Sequence, residues 1–419
     1  MPKYLLFSLV LFLSLGGLAQ VEYARKIMDT LCSPHFDGRG YVNSGDIRAA
    51  DFIVDELKRI GAEPMSGKEY TQEYTFSVNT FPHPIEVILG KDTLLPGADY
   101  LVHPISGTAQ GEFDLIEINK QNFFDTYGGK IDFRSLGTSQ TVFAFNFTGI
   151  EDKELEKQII SLSYECTHYF PSVYVTSDKL TYSVSRKQTN YPLIFIDSAA
   201  YHSVDQIKLK VNNIYIPDYT AKNVIGCIPG KKKKKYVVFS AHYDHLGRMG
   251  EDTYFPGAND NASGVAMLLS LAKHYKTHPP KYTVVFCFFS GEEAGLLGSK
   301  YFVEHPYFKL KKTKFVLNID IMGGATDGIT VVNATRHEKA FAQLQALNES
   351  WRFLPQVKSR GASANSDHHF FSEAGVPAFF IYSMGNVKNY HDIYDTAENT
   401  PLINFDQVQE LLEKFVLSL

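Results

Sequence analysis

Four short runs of consecutive apolar residues recur in the second half of the chain, separated by stretches with a helical pattern. The runs occupy residues 236–241, 283–289, 315–319 and 378–382. Apolar runs of this length are typical of strands that are buried on both faces, as in a largely parallel sheet. The intervening residues 262–275 and 337–351 carry the apolar spacing of amphipathic helices. We therefore predict an α/β fold with a mixed, mostly parallel central sheet flanked by helices.

The chain has 419 residues, more than a single simple core usually holds. Residues 24–31 and 45–60 are helical in pattern, whereas residues 75–218 alternate short Val-, Ile-, Tyr- and Phe-rich runs with Gly, Pro and Asn turns. We expect residues 20–74 and 219–419 to form the α/β domain. Residues 75–218 are expected to form a β-rich insertion with one helix near residues 152–162.

The first residues have the pattern of a secretory signal peptide. Lys3 precedes an apolar run over residues 4–15, and Gly17-Leu18-Ala19 offers small residues for cleavage. The run is shorter than the roughly 20 residues that a membrane-spanning helix needs. We expect residues 1–19 to be removed and the mature chain, without a membrane span, to be exported to the periplasm or secreted.

Charge and cysteine content exclude other classes of protein. The 41 basic and 46 acidic residues give a net charge of −5, which lacks the positive footprint of a nucleic-acid binder. The 4 cysteines are too few and too scattered for a disulfide scaffold. Neither the presence of an individual disulfide nor the oligomeric state follows from the sequence.

Histidines and carboxylates cluster where the predicted strands end. Ligands of open α/β sheets bind outside the carboxyl ends of the strands, so these side chains are expected to meet at one edge. The residues concerned are His242, Asp244, Asp260, Glu292, Glu293, Asp320 and His391.

The composition of this group indicates a metal centre. Crowded carboxylates repel one another, and a divalent cation relieves the repulsion. A mixture of imidazoles and carboxylates suits zinc better than calcium or magnesium. Five candidate ligands (His242, Asp260, Glu293, Asp320 and His391) exceed the three of one catalytic zinc, so a bridging carboxylate and two zinc ions are expected. Glu292 is left as a general base for a water held between the ions.

The motifs also resemble those of the M28 family of zinc aminopeptidases. The matching elements, in the family's order, are His242-x-Asp244, Gly257-Ala-Asn-Asp260-Asn-Ala-Ser-Gly264, Ser290-Gly-Glu292-Glu293-x-Gly, Asn318-Ile-Asp320 and Tyr390-His391. The resemblance covers residue 223 to the end of the chain, and residues 23–70, with Asp37-Gly38-Arg39-Gly40, more loosely. Residues 75–218 occupy the place of the protease-associated domain of many family members and look like a degenerate version of it.

The resemblance implies a role for each site residue. His242 and Asp320 would hold one zinc ion, Glu293 and His391 would hold the second, and Asp260 would bridge them. Glu292 would be the catalytic base. Asp244 would accept the second ring N–H of His242 and so fix its tautomer. Tyr390 would either polarise the scissile carbonyl or serve only as a packing aromatic.

Three further residues lie near the matching motifs. Asp367 and His368 follow Ser366 in another family-like segment, and we expect them to support the ligands or to contact substrate. Arg360 is expected to be an ordinary surface residue or a substrate contact.

The expected activity is hydrolysis of N-terminal residues from peptides with a free N-terminus, through a water bridging two zinc ions. Dipeptidase and carboxypeptidase variants stay open. A glutaminyl-peptide cyclase on the same fold is one alternative, although such relatives use one zinc and a tryptophan-lined pocket, and this chain has only Trp351. A peptide-binding relative without catalysis is the other. A serine hydrolase is disfavoured, since the chain has no GxSxG motif.

Overall fold

The computed structural model describes residues 20–419, so the predicted signal peptide at residues 1–19 lies outside the described part of the chain. No helix in the described part is both long enough and apolar enough to cross a membrane. The α-helices are α1 (residues 20–31), α2 (Gly45–Ile60), α3 (Lys120–Asp125), α4 (Phe133–Leu136), α5 (Lys153–Cys166), α6 (Ser263–Thr277), α7 (Leu297–Glu304), α8 (Glu338–Trp351), α9 (His368–Glu373) and α10 (Phe405–Ser418).

The strands fall into two large sheets and one small hairpin. In chain order they are β1 (Glu63–Pro64), β2 (Thr71–Thr80), β3 (Glu86–Leu89), β4 (Asp92–Thr93), β5 (Tyr100–Val102), β6 (Ala109–Asn119), β7 (Thr141–Asn146), β8 (Ser172–Thr176), β9 (Leu193–Asp197), β10 (Gln206–Val211), β11 (Ile214–Ile228), β12 (Lys232–His242), β13 (Arg248–Met249), β14 (Thr253–Tyr254), β15 (Tyr282–Phe289), β16 (Thr313–Ile319), β17 (Gly328–Val332), β18 (Val357–Ser359) and β19 (Ala378–Met384).

The central sheet has the strand order β1-β11-β15-β12-β16-β19-β17-β18, with β2 paired to β11. The four strands in its middle, β15, β12, β16 and β19, are parallel to their neighbours within this group. Antiparallel pairs occur towards its edges, as between β11 and β15 and between β17 and β19. The predicted α/β class and mixed sheet are confirmed, and all four predicted apolar runs are strands of this sheet.

Strand β15 shows why these runs are continuously apolar. All eight of its residues are buried. Val284 and Phe286 face the cluster formed with helices α1, α2, α6, α8 and α10, whereas Val285 and Cys287 face the cluster formed with α7 and α9. Because neighbouring side chains of a strand point to opposite faces, burial on both faces removes the usual apolar–polar alternation.

A second sheet lies between β2 and β11 in the sequence. Its order is β4-β3-β10-β6-β7-β8-β9-β5, and β6 to β9 form three parallel pairs. Helix α5 overlaps the helix expected near residues 152–162. The expected boundaries at residues 75 and 218 fall inside β2 and β11, which pair with each other as part of the central sheet.

Arg39 ties the N-terminal segment to the loops that follow β12. Its side chain is fully buried. Its guanidinium donates to the backbone carbonyls of Tyr243 (2.8 Å), Leu31 (3.2 Å), Pro256 (2.6 Å) and Gly257 (2.6 Å). The planar fork of arginine suits several acceptors at once, and these bonds offset part of the cost of burying its charge.

We predict that Arg39→Met lowers the free energy of unfolding by about 3–5 kcal/mol, because four buried carbonyls lose their donor. Chemical denaturation followed by circular dichroism measures the change. Arg336→Met is the matched control, since Arg336 and its partner Glu373 are about half exposed and their atoms are 3.6 Å apart. The control should change stability by less than about 1 kcal/mol. Equal effects of the two variants would contradict this role of Arg39.

Candidate metal centre

The five predicted metal ligands meet at the carboxyl ends of the central strands. His242 is the last residue of β12, and Asp320 directly follows β16. Asp260 lies in the turn Ala258–Ala262 that leads into α6, and Glu293 follows β15 after a short turn. His391 belongs to the loop between β19 and α10. Parallel neighbours end at the same edge of a sheet, which explains why residues distant in sequence converge here.

The first group of ligands consists of His242, Asp260 and Asp320. Nε2 of His242 is 3.3 Å from Oδ1 of Asp260 and 3.3 Å from Oδ1 of Asp320. The ligand atoms of these three buried residues lie close enough together to hold one metal ion.

The second group lies on the opposite side of the Asp260 carboxylate. Nε2 of His391 is 3.1 Å from Oδ2 of Asp260 and 3.3 Å from Oε2 of Glu293. Asp260 therefore presents one oxygen to each histidine. This is the arrangement required of a carboxylate shared between two metal ions.

The spacings fit zinc. Two ligand atoms at about 2.1 Å from a tetrahedral ion are separated by roughly 3.4 Å. The separations of 3.1–3.3 Å between the histidine nitrogens and the carboxylate oxygens are close to this value. The side chain of His391 is 14% exposed, against 2% for His242, so the second group lies nearer to solvent.

Without a metal ion, the histidines neutralise the carboxylates. Burial raises the pKa of Glu293, but the charge of His391 and hydrogen bonds from His245 and His391 outweigh it and lower the pKa to about 2. Burial lowers the pKa of His391, but the surrounding Glu293 and Asp260 raise it to about 11. The pKa of His242 is raised well above its ordinary value because nearby carboxylates outweigh burial. Both imidazoles are thus cations at neutral pH.

Asp244 differs from the expectation. Nδ1 of His242 donates to the backbone carbonyl of Asp244 at 3.1 Å, whereas the nearest carboxylate oxygen of Asp244 is 3.9 Å away. The carbonyl therefore fixes the tautomer. The carboxylate accepts instead from Tyr41 Oη at 2.6 Å and from the backbone N–H groups of Glu292 and Glu293, each at 3.3 Å. It holds the turn that presents both glutamates.

Sequence reasoning assigned no role to His245. This buried residue donates from Nδ1 to Oε1 of Glu293 at 2.9 Å, and its Nε2 has no hydrogen-bond partner within residues 20–419. With Asp260 and Glu293 it also forms a group close enough to bind a metal ion. We favour His391 as the ligand, because its Nε2 faces both Asp260 and Glu293. The only sequence signal was the position of His245 shortly after the end of β12.

Asp395 fixes the backbone of Asp260. Its carboxylate oxygens accept from the N–H of Asn259 at 2.8 Å and of Asp260 at 3.0 Å, and its own carbonyl accepts from Ala258 at 2.9 Å. Burial raises the pKa of Asp395 to about 7. The shared carboxylate is therefore anchored by a second acidic residue that does not itself belong to either group.

Glu292 and Tyr390 border the two groups. Glu292 belongs to neither group of potential ligands. Burial raises its pKa well above the ordinary value, against the charge of His242. Tyr390 is 45% exposed, and its ring stacks on His391 at 3.9 Å between centroids. Burial and then the charges of Asp260 and Glu293 raise the pKa of Tyr390.

The three additional candidates occupy different surroundings. Asp367 and His368 are fully buried, and within residues 20–419 their side-chain oxygen and nitrogen atoms have no hydrogen-bond partner. Their neighbour Ser366 donates to Oδ2 of Asp320 at 3.2 Å. Arg360 is exposed and donates to the Tyr382 hydroxyl at 3.2 Å.

Zinc binding to the metal-free protein should release about two protons per chain at pH 7. His242 and His391 are charged without metal, and a histidine must be neutral to bind a metal ion. Calorimetric titration with zinc in buffers of different ionisation enthalpy measures the number of protons released per chain. His391→Ala should release about one proton fewer. A binding enthalpy that does not vary with the buffer would contradict the assignment.

Residues 223–416 match the model of peptidase family M28. The aminopeptidase YwaD of Bacillus subtilis is 28% identical over 230 residues, which are 53% of this chain and 49% of that protein. The match therefore spans about half of the relative's length. Leucine aminopeptidase 1 of Trichoderma harzianum is 25% identical over 346 residues, 75% of this chain and 84% of that protein.

Solved structures share the fold over nearly the whole chain. A zinc aminopeptidase from Bacillus subtilis superposes with a TM-score of 0.68 at 17% identity, covering 95% of this chain and 94% of that one. An M28 peptidase precursor from Shewanella amazonensis superposes with a TM-score of 0.66 at 17% identity, with 96% of both chains covered. The sheet, the convergence of side chains at its edge and the family match agree. Residues 223–416 are a domain of peptidase family M28.

Proposed function

We propose that this protein is a metal-dependent exopeptidase that uses two zinc ions to remove N-terminal residues from peptides. The observation that carries the proposal is the placement of Asp260, which turns one carboxylate oxygen to His242 and the other to His391. The M28 domain and the aminopeptidase names of its relatives support the reaction class. Export of the chain stays a prediction from the sequence.

The residues present fit two zinc ions. His242 and Asp320 would hold one ion, His391 and Glu293 the other, and Asp260 both, which gives each ion three protein ligands. When bound, such a pair supplies an acidified water and a polarised substrate carbonyl.

Glu292 is the residue that we assign to proton transfer. It sits beside the two groups without belonging to either, and its raised pKa suits an acid–base group better than a permanent ligand. In the proposed reaction it takes the proton of the attacking water and returns it to the leaving amine. Asp244 holds the backbone of Glu292 in place.

The carboxylates of the site also support the proposed preference for a free N-terminus. A protonated substrate amine is attracted to acidic side chains, and Glu293 or a neighbour would bind it at the more exposed side of the centre. An acetylated N-terminus has no such charge.

The two alternatives receive less support. Trp351, at the end of α8, is 57% exposed and contacts Phe353 and Lys414, so it lines no tryptophan-walled pocket of the cyclase kind at this centre. A non-catalytic peptide-binding protein would not need a base, whereas Glu292 stands beside a complete set of ligands.

We predict that Glu292→Gln lowers kcat by about 10²–10⁴-fold and leaves the zinc content unchanged, because the amide cannot accept the proton of water. Turnover of peptides with free N-termini and elemental analysis of the same sample measure the two quantities. N-acetylated versions of the peptides and a chelator-treated sample are the controls. A near-normal rate would refute the assignment of the base.

The same peptides distinguish the reactions. Stepwise loss of N-terminal residues by mass spectrometry supports the aminopeptidase. Loss of ammonia alone from N-terminal Gln would establish the cyclase, and unchanged peptides would favour the non-catalytic relative.

Tyr390→Phe tests the second catalytic assignment. If the phenol donates to the carbonyl oxygen in the transition state, kcat should fall about 10²–10³-fold at constant zinc content. Steady-state kinetics with a free-amine peptide measures the effect. A kcat within twofold of the original would show that the ring only packs on His391.

A further inference from the structure

His391 is held in place by the inserted part of the chain and not by the M28 domain alone. Nδ1 of His391 donates to the backbone carbonyl of Tyr182 at 2.9 Å. In return, the N–H of Tyr182 donates to the carbonyl of His391 at 2.8 Å. The reciprocal pair joins two loops that are 209 residues apart in sequence. It directs Nε2 of His391 towards Asp260 and Glu293.

Lys179 makes a second set of contacts to the same loop. Its ammonium pairs with the carboxylate of Asp392 and donates to the carbonyls of Lys388 (3.3 Å) and Tyr390 (3.2 Å). Asp392 in turn accepts from the N–H groups of Tyr390 and Tyr394. One lysine thus fixes both sides of the turn that carries His391.

Within residues 179–182, Tyr182 is the buried residue, whereas the side chain of Lys179 is about half exposed. The buried Tyr182 ring stacks on Phe255 with 4.5 Å between centroids and an interplanar angle of 8°. Ile393, two residues after His391, packs against the apolar cluster of the second sheet. His391 has φ of 55°, a left-handed conformation that non-glycine residues adopt at a cost unless their surroundings hold them.

We propose that the inserted segment 179–182 is a positioning element of the metal centre, with Lys179 as its fixing residue. The inference rests on the proposed two-zinc site. Residues 179–182 would then help to form the binding site of the second zinc ion, because the groups that orient a histidine ligand also set its affinity for metal. The first site, of His242, Asp260 and Asp320, has no contact of this kind with the segment.

The test is zinc binding to the full metal-free chain, measured by competition with a chromophoric chelator. Lys179→Met should lower the affinity for one of the two zinc ions by about 10–100-fold and leave the affinity for the other unchanged. Lys187→Met is the matched control, since Lys187 is an exposed lysine nearby in the same part of the chain, and both affinities should equal those of the original protein. Lys179→Arg should restore most of the lost affinity, because it keeps a cation beside Asp392.

Two unchanged affinities in Lys179→Met would overturn the inference, and so would an equal loss at both sites, which indicates a general effect on folding. If the original protein itself binds fewer than two zinc ions, the proposed function fails first. Unchanged circular dichroism of the variant confirms that it is folded.

Discussion

The structure depends on placing several carboxylates close together out of water. Asp260, Glu293 and Asp320 converge at one sheet edge, where their mutual repulsion is not screened by solvent. Cations relieve this repulsion, and in the metal-free chain the protonated rings of His242 and His391 are those cations. Each imidazole must lose its extra proton before its nitrogen can bind a metal ion. The arrangement of carboxylates therefore favours a divalent metal ion over a singly charged imidazolium.

The strands and the residues at their ends could be predicted from the sequence, whereas contacts between distant segments could not. The apolar runs identified the parallel strands because burial on both faces leaves a direct trace in composition. The strand-end residues followed from topology. The roles of Arg39, His245 and Lys179 could not be predicted from the sequence, because they arise from carbonyls and carboxylates supplied by distant segments. The expected insertion boundaries fell inside β2 and β11, which form one long antiparallel pair in the central sheet.

Around the candidate ligands, a second layer of groups orients them. The carbonyl of Asp244 orients His242, its carboxylate holds the turn of Glu292, and Asp395 holds the backbone of Asp260. Each of these contacts comes from the M28 domain itself. His391 differs, because Tyr182, which lies between β2 and β11 in the sequence, orients its ring. One half of the centre is thus built within the domain, and the other half depends on packing between two parts of the chain.

The most direct measurement is a crystal structure of the zinc-loaded protein with anomalous diffraction recorded on both sides of the zinc absorption edge. We predict two zinc peaks per chain, about 3.5–4 Å apart, one beside His242 and Asp320 and the other beside His391 and Glu293. Asp260 should lie between the peaks. A single peak, or a pair in which Asp260 contacts only one ion, would contradict the account.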